Sequence, residues 1–160
     1  MLRLDKNHLE YLPEHFGNMK SLEELSVADN NLRSIPSSVG LLRKLRTLYI
    51  DNNLLVELPP EIGSCQNLSL LSAARNRLQH IPSEIGHLAN LRVLSLAGNL
   101  LINLPVSILN IPSLDAIWLS QSQSKPLLPL NQEIDPETNQ HVLTCYLLPQ
   151  LRSYSGECFF

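Results

Sequence analysis

Apolar residues along this chain follow neither one helical period nor one strand period; both signals sit inside a longer unit. In "LEELSVADN", "LRTLYIDNN", "LSLLSAARN" and "LRVLSLAGN" the pattern is LxxLxLxxN. Its centre alternates, so Leu25 and Val27, Leu48 and Ile50, and Leu94 and Leu96 point to one side of a short predicted strand while their neighbours point to the other. After each strand come an asparagine, an apolar residue and a proline, and then an apolar stripe such as Ile62 with Cys65 or Ile85 with Leu88. Proline fixes φ and removes a backbone donor, so this return limb predicts an irregular or short helical segment.

The unit recurs at a fixed distance. Asn7, Asn30, Asn53, Asn76 and Asn99 are spaced 23 residues apart, and so are Pro13, Pro36, Pro59, Pro82 and Pro105. Four full leucine-rich repeats, LxxLxLxxNxLxxLPxxIGxLxx, run from 22 to 113. A partial repeat precedes them with Leu2, Leu4, Leu9, Leu12, Phe16 and Met19 on the template, and a decaying one starts at Leu114. Residues 1–124 therefore predict an α/β leucine-rich repeat solenoid. That is a short, curved, right-handed coil with a parallel sheet on its concave face and short helical or irregular segments on its convex side. Each asparagine is expected to bond buried backbone groups where the strand ends, making a ladder with one rung per coil. Gly17, Gly40, Gly63 and Gly86 lie beside the convex stripe, where the next repeat has Leu109. Cys65 reads as a small core residue.

Ser122 and Ser124 replace the ladder asparagine and the leucine after it, so the regular coil ends there. "PLLPL" and "HVLTCYLL" flank the turn-rich "DPETNQ", which predicts an extended pair over residues 125–150 folding across the last coil as a cap, followed by a tail at 151–160.

Function in such a coil is expected on the outward strand positions. One column reads Arg3, Ser26, Tyr49, Ser72, Ser95 and Trp118; the next reads Asp5, Ala28, Asp51, Ala74, Ala97 and Ser120. Beside them run Lys6, Asp29, Asn52, Arg75, Gly98 and Gln121. Aromatic residues among small ones, with charges of both signs, suit recognition of another protein. The candidates are Tyr49, Asp51, Asn52, Arg75, Arg77 and Trp118, with the arginine pair suited to one acidic or phosphorylated side chain of a partner.

Charge and composition narrow the alternatives. A net charge of −3 over 160 residues gives no field to gather nucleic acid. Cys65, Cys145 and Cys158 have neither the paired spacing of a zinc site nor an even count for a disulfide framework, which fits a reducing compartment. No apolar run reaches the length of a membrane span, and the amino terminus has no secretory pattern. His8, His15, His80, His87 and His141 occupy unrelated template positions, and no phosphate loop, nucleophile elbow or paired-carboxylate motif occurs. The expectation is a non-enzymatic protein with no catalytic residue, metal or cofactor.

The LPxxIGxL repeats resemble the intracellular class of leucine-rich repeats. "AIWLSQSQSKPLLPL" followed by "DPETNQHVLTCYLLPQ" closely resembles the segment that follows the repeats in the LAP family of scaffolds (Scribble, Erbin, densin and Lano), with Erbin and densin nearest. The resemblance runs from Leu2 to about Gln150. It implies a cytoplasmic scaffold or adaptor of cell polarity and cell junctions at the inner face of the basolateral or junctional plasma membrane. The repeats would recruit junctional or polarity proteins, with peripheral membrane association compatible. The alternative is a regulatory scaffold for a small GTPase or phosphatase complex. Because the chain opens inside a repeat, Leu2 and Leu4 lie at an open edge, and self-association through this uncapped coil is expected. The terminal "RSYSGECFF" is expected to be a loose tail, with an apolar terminal pair of the kind PDZ domains take.

Overall fold

The computed structural model describes residues 1–150. Its strands are β1 (Leu2–Arg3), β2 (Glu24–Ser26), β3 (Thr47–Tyr49), β4 (Leu70–Ser72), β5 (Val93–Ser95), β6 (Leu104–Pro105), β7 (Ala116–Trp118), β8 (Asn131–Ile134) and β9 (His141–Thr144). A six-stranded sheet runs in the order β1-β2-β3-β4-β5-β7 with every pair parallel. Leu2, Leu25, Leu48, Leu71, Leu94 and Ile117 stand in register across it. Equivalent repeat positions thus meet their own copies, which stacks the leucines into one continuous core.

Each return limb is a 3-10 segment: Glu14–Asn18, Ser37–Leu41, Pro60–Ser64, Ser83–His87 and Val106–Asn110. The prolines 13, 36, 59, 82 and 105 precede these segments in extended conformation, where a missing N–H costs nothing. The return-limb glycines exist because neighbouring coils touch. A methyl group at Gly86 would lie 2.6 Å from both the carbonyl oxygen and the Cβ of Ser107 in the next coil. Leu109 meets no further 3-10 coil among the described residues and is 59% exposed.

The asparagines close the coils. Asn53 accepts from the Leu32 amide at 3.0 Å and donates through Nδ2 to the carbonyls of Val27 and Ile50. Asn30, Asn76 and Asn99 repeat this set one coil at a time: each accepts from the leucine amide 21 residues back, and each donates to carbonyls 26 and 3 residues back. Asn7 differs: it is exposed and donates only within its own coil, to Leu4 and Asp5.

Ser122 stands where the next rung belongs, yet the rung is filled. Gln150 accepts from the Leu101 amide at 3.1 Å and donates through Nε2 to the carbonyls of Leu96 at 2.9 Å and Leu119 at 2.8 Å. These are the three groups an asparagine at 122 would reach by the ladder's own spacing of 21, 26 and 3 residues. The Gln150 amide also donates to the Leu101 carbonyl, as the residue after each ladder asparagine does to the matching leucine. Gln123 completes the closure, accepting from the Leu119 amide and donating to the carbonyls of Ile117 and Lys125.

The chain then covers the end of the stack. β8 and β9 form an antiparallel hairpin, and β9 pairs antiparallel with β6 on the last return limb. Val142, Leu143 and Cys145 are buried there, with Leu143 packed in the same core as Leu104 and Ile108. Asp135 holds the hairpin turn, accepting from the Glu137 amide and the Thr138 hydroxyl.

Candidate functional site

The concave sheet presents an uneven floor. Tyr49 at the end of β3 is 39% exposed, and Trp118 at the end of β7 is half-buried. Between them, in register, stand only Ser72 and Ser95, with Ala74 and Ala97 beside them. At ~4.8 Å per strand, three strand spacings place the two aromatic residues about 14 Å apart along the stack. The result is a slot with aromatic walls. It opens into a groove of about 540 Å³ lined by Asp29, Asp51, Asn52, Arg75, Trp118 and Gln121, among others.

Five of the six candidate residues stand on this face or its rim, in different states, and Arg77 lies beyond it. Asp51 has its carboxylate engaged: Oδ1 accepts from the Ser72 hydroxyl at 2.6 Å and the Ala74 amide at 2.8 Å. Asp5 does the same for Ser26 and Ala28. These aspartates satisfy amides beyond the ladder's reach, so Asp51 offers a partner mainly its second oxygen. Asn52 donates through Nδ2 to Asp29 in the preceding coil.

Asn52 and Arg75 do not sit on the strand itself. With Lys6 and Asp29 they adopt left-handed backbone at φ between 52° and 55°, and Gly98 continues the series at 70°. The residue before each rung therefore turns sharply, which projects Arg75 from the rim of the sheet. Such conformations favour Gly, Asn and Asp, and the column reads Asp29, Asn52, Gly98 at three of its positions.

With its side-chain amide turned to the orientation that satisfies both of its polar atoms, Gln121 accepts across the coils from Arg75 Nε at 2.7 Å and Nη2 at 2.9 Å. Arg77, just past the rung, is exposed and borders the same second depression as Arg75, one of about 710 Å³ between the asparagine turns and the cap. Tyr146, 73% exposed, and Pro149 form its far wall.

Gln121, Tyr146 and Gln150 were absent from the sequence-based candidates. Gln121 lies in a column read from the repeat, but the other two come from beyond it, where no period assigns a place. The Asp5 and Asp51 roles had one signal in the sequence, an aspartate with a serine 21 residues later in alternate coils.

Among the described residues the linings of the two depressions include no histidine or cysteine. Burial pushes the Cys65 thiol up to about 11, despite nearby Arg43, and its Sγ donates to the Val39 carbonyl. Among the described residues no group of three or more His, Cys, Asp or Glu could hold a metal, and no helix is long and apolar enough to cross a membrane. The terminal residues read above as a loose tail lie outside the described residues.

Comparison with known proteins agrees with this geometry. Residues 1–76 match the family described as Leucine-rich repeat region. A leucine-rich repeat protein of Leptospira interrogans has the same fold, with a TM-score of 0.72 and 36% identity over 74% of this chain and 30% of its own. Human leucine-rich repeat-containing protein 7 is 61% identical over 33 residues, which is 21% of this chain and 2% of that protein. The Caenorhabditis elegans Scribble homolog let-413 is 43% identical over 44 residues, 28% of this chain and 6% of that protein. The chain thus spans a small part of the curated relatives it matches. Its fold is that of a leucine-rich repeat solenoid, a generic module for binding other proteins.

Proposed function

We propose that this chain is the partner-binding part of a non-enzymatic scaffold in cell polarity and cell-junction organisation. A partner polypeptide lies on the concave sheet, anchored between Tyr49 and Trp118 and oriented by Asn52, Arg75, Arg77 and the free oxygen of Asp51. The observation that carries this reading is the slot itself. Two aromatic walls over a floor of Ser72, Ser95, Ala74 and Ala97 leave room for an apolar side chain at the centre of a rigid sheet, the arrangement in which interface energy concentrates. Polarity as the setting rests on the LAP-like segment after the repeats and on the partial match to the Scribble homolog. By the same support the protein belongs at the inner face of the junctional or basolateral membrane.

Affinity capture from polarised epithelial cells tests both halves. Polarity or junctional proteins should be retained, and Tyr49→Ala with Trp118→Ala should release them while the folded chain keeps its melting temperature. Retention unchanged by both substitutions would place the partner on another face. Recovery of a small GTPase or phosphatase complex in place of polarity proteins would instead assign the face to enzyme regulation.

A further inference from the structure

We infer that the depression between the asparagine turns and the cap binds a phosphorylated side chain of a polypeptide partner, gripped by the guanidinium groups of Arg75 and Arg77. This deepens the reading above, since the depression adjoins the concave groove and shares Arg75, Ser120 and Gln121 with it.

The charge pattern carries the inference. The protein as a whole is acidic, at −3, yet among the described residues the lining of this depression includes two arginines and no carboxylate. Two arginines just before the strands face acids in adjacent coils: Arg92 meets Asp115 at 2.7 Å, and Arg46 approaches Glu23 at 3.9 Å. Arg75 instead rests against the neutral amide of Gln121, which fixes its direction, and no acid pairs with it among the described residues. The carboxylates of the adjoining groove are each bonded through one oxygen to neutral donors, Asp29 to Asn52 and Asp51 to Ser72 and the Ala74 amide.

Shape agrees with charge. In the coil after Arg75 the matching position is Gly98, where a Cβ would lie 3.4 Å from Arg75 Cγ, so the wall beside the guanidinium stays low. Tyr146 stands exposed at the far wall. A carboxylate would match one guanidinium. A phosphomonoester, with a charge of about −1.5 to −2 and three acceptor oxygens, matches two.

The test is a titration of the full isotope-labelled chain by nuclear magnetic resonance, with N-acetyl-O-phosphoserine methylamide as probe. N-acetylglutamate methylamide and inorganic sulfate serve as controls. Saturable shifts are expected at the Arg75 and Arg77 side chains and at the amides of Gly98, Gln121 and Tyr146. Arg75→Gln with Arg77→Gln should weaken the phosphoserine response at least roughly tenfold while leaving other resonances in place. Shifts scattered over Arg33, Arg43 and Lys44, equal responses to glutamate and phosphoserine, or indifference to the double substitution would each overturn the inference.

Failure here and failure of the scaffold reading separate cleanly. Polypeptide capture that depends on Trp118 but ignores Arg75 and Arg77 leaves the concave-face reading standing and removes this one. A phosphoserine site intact in a chain whose capture ignores Tyr49 and Trp118 does the reverse.

Discussion

The first and last described coils are built from the same repeat and closed differently. At the first coil Asn7 is exposed and bonds only within its own turn, and Leu2, Leu4 and Leu9 are only partly covered. At the last coil Leu101, Leu104 and Leu119 are buried, and the missing asparagine is replaced by Gln150 from outside the repeat. The contrast shows what a rung requires. It needs one acceptor and two donations at fixed positions, and the side chain that provides them can come from 49 residues away along the chain. A coil without that closure leaves its amides and leucines to water or to another surface.

The hairpin's apolar contact gives the strongest way to break the comparison. Leu143 is 1% exposed, and Leu143→Ala should cost about 2–5 kcal/mol. The partly covered Leu2→Ala at the other end should cost less than about 1.5 kcal/mol, because little apolar surface leaves water there. Urea denaturation of both variants reads the difference, and equal losses would mean that the two ends are equally packed.

The return-limb glycines sharpen the same point from the convex side. Gly86→Ala forces a methyl into Ser107 and should destabilise by about 1–3 kcal/mol. Leu109→Ala, at the matching position with no 3-10 coil beyond it among the described residues, should stay within about 0.5 kcal/mol of the parent.

Gln150→Ala orphans the Leu101 amide and the carbonyls of Leu96 and Leu119, and should cost about 1–3 kcal/mol. Asn7→Ala should cost less than about 1 kcal/mol, since both of its bonds are exposed and the Leu4 carbonyl keeps its bond from Asn30. Two cysteines report where the loss falls. Cys65 is fully buried with its thiol pushed up to about 11, and Cys145 is buried on the inner side of the cap itself. Thiol labelling in a Cys158→Ser background should therefore accelerate at Cys145 in the Gln150→Ala chain while Cys65 stays protected. Acceleration at both would mean that the cap and the coils open as one unit.

Much of this architecture could be read from the sequence, because a repeat carries its own register. The recurrence of Asn30, Asn53, Asn76 and Asn99 sets the coil length, and the alternation in LxLxx sets which side chains turn inward. The left-handed turn before each rung could not be read so directly, because Lys6 and Arg75 adopt it where glycine or asparagine would be favoured. Gln150 was hidden for a deeper reason: its bonds depend on a hairpin closing back over the last coil, and no local pattern encodes that distance. The outward columns named the concave residues, but only the fold shows that Asp51 already serves Ser72 and Ala74 while Arg75 meets no acid among the described residues.

The smallest effect is confined to the hairpin turn and follows from its acid. The Asp135 carboxyl is held below its ordinary value, chiefly by the Glu137 amide and then by the Thr138 hydroxyl, both of which bond the charged form. A depressed carboxyl stabilises the fold above its unfolded value, near pH 4, and that contribution is lost as pH falls through the lower folded value. Acidification below about pH 4 should therefore raise hydrogen exchange first at the Glu137 and Asn139 amides, which Asp135 anchors, with the amides of β2 to β5 unaffected. Asp135→Asn should remove most of that pH dependence at the turn. If exchange at the turn rises no earlier than in the central strands, Asp135 does not hold the hairpin, and the cap depends on Gln150 and Leu143 instead.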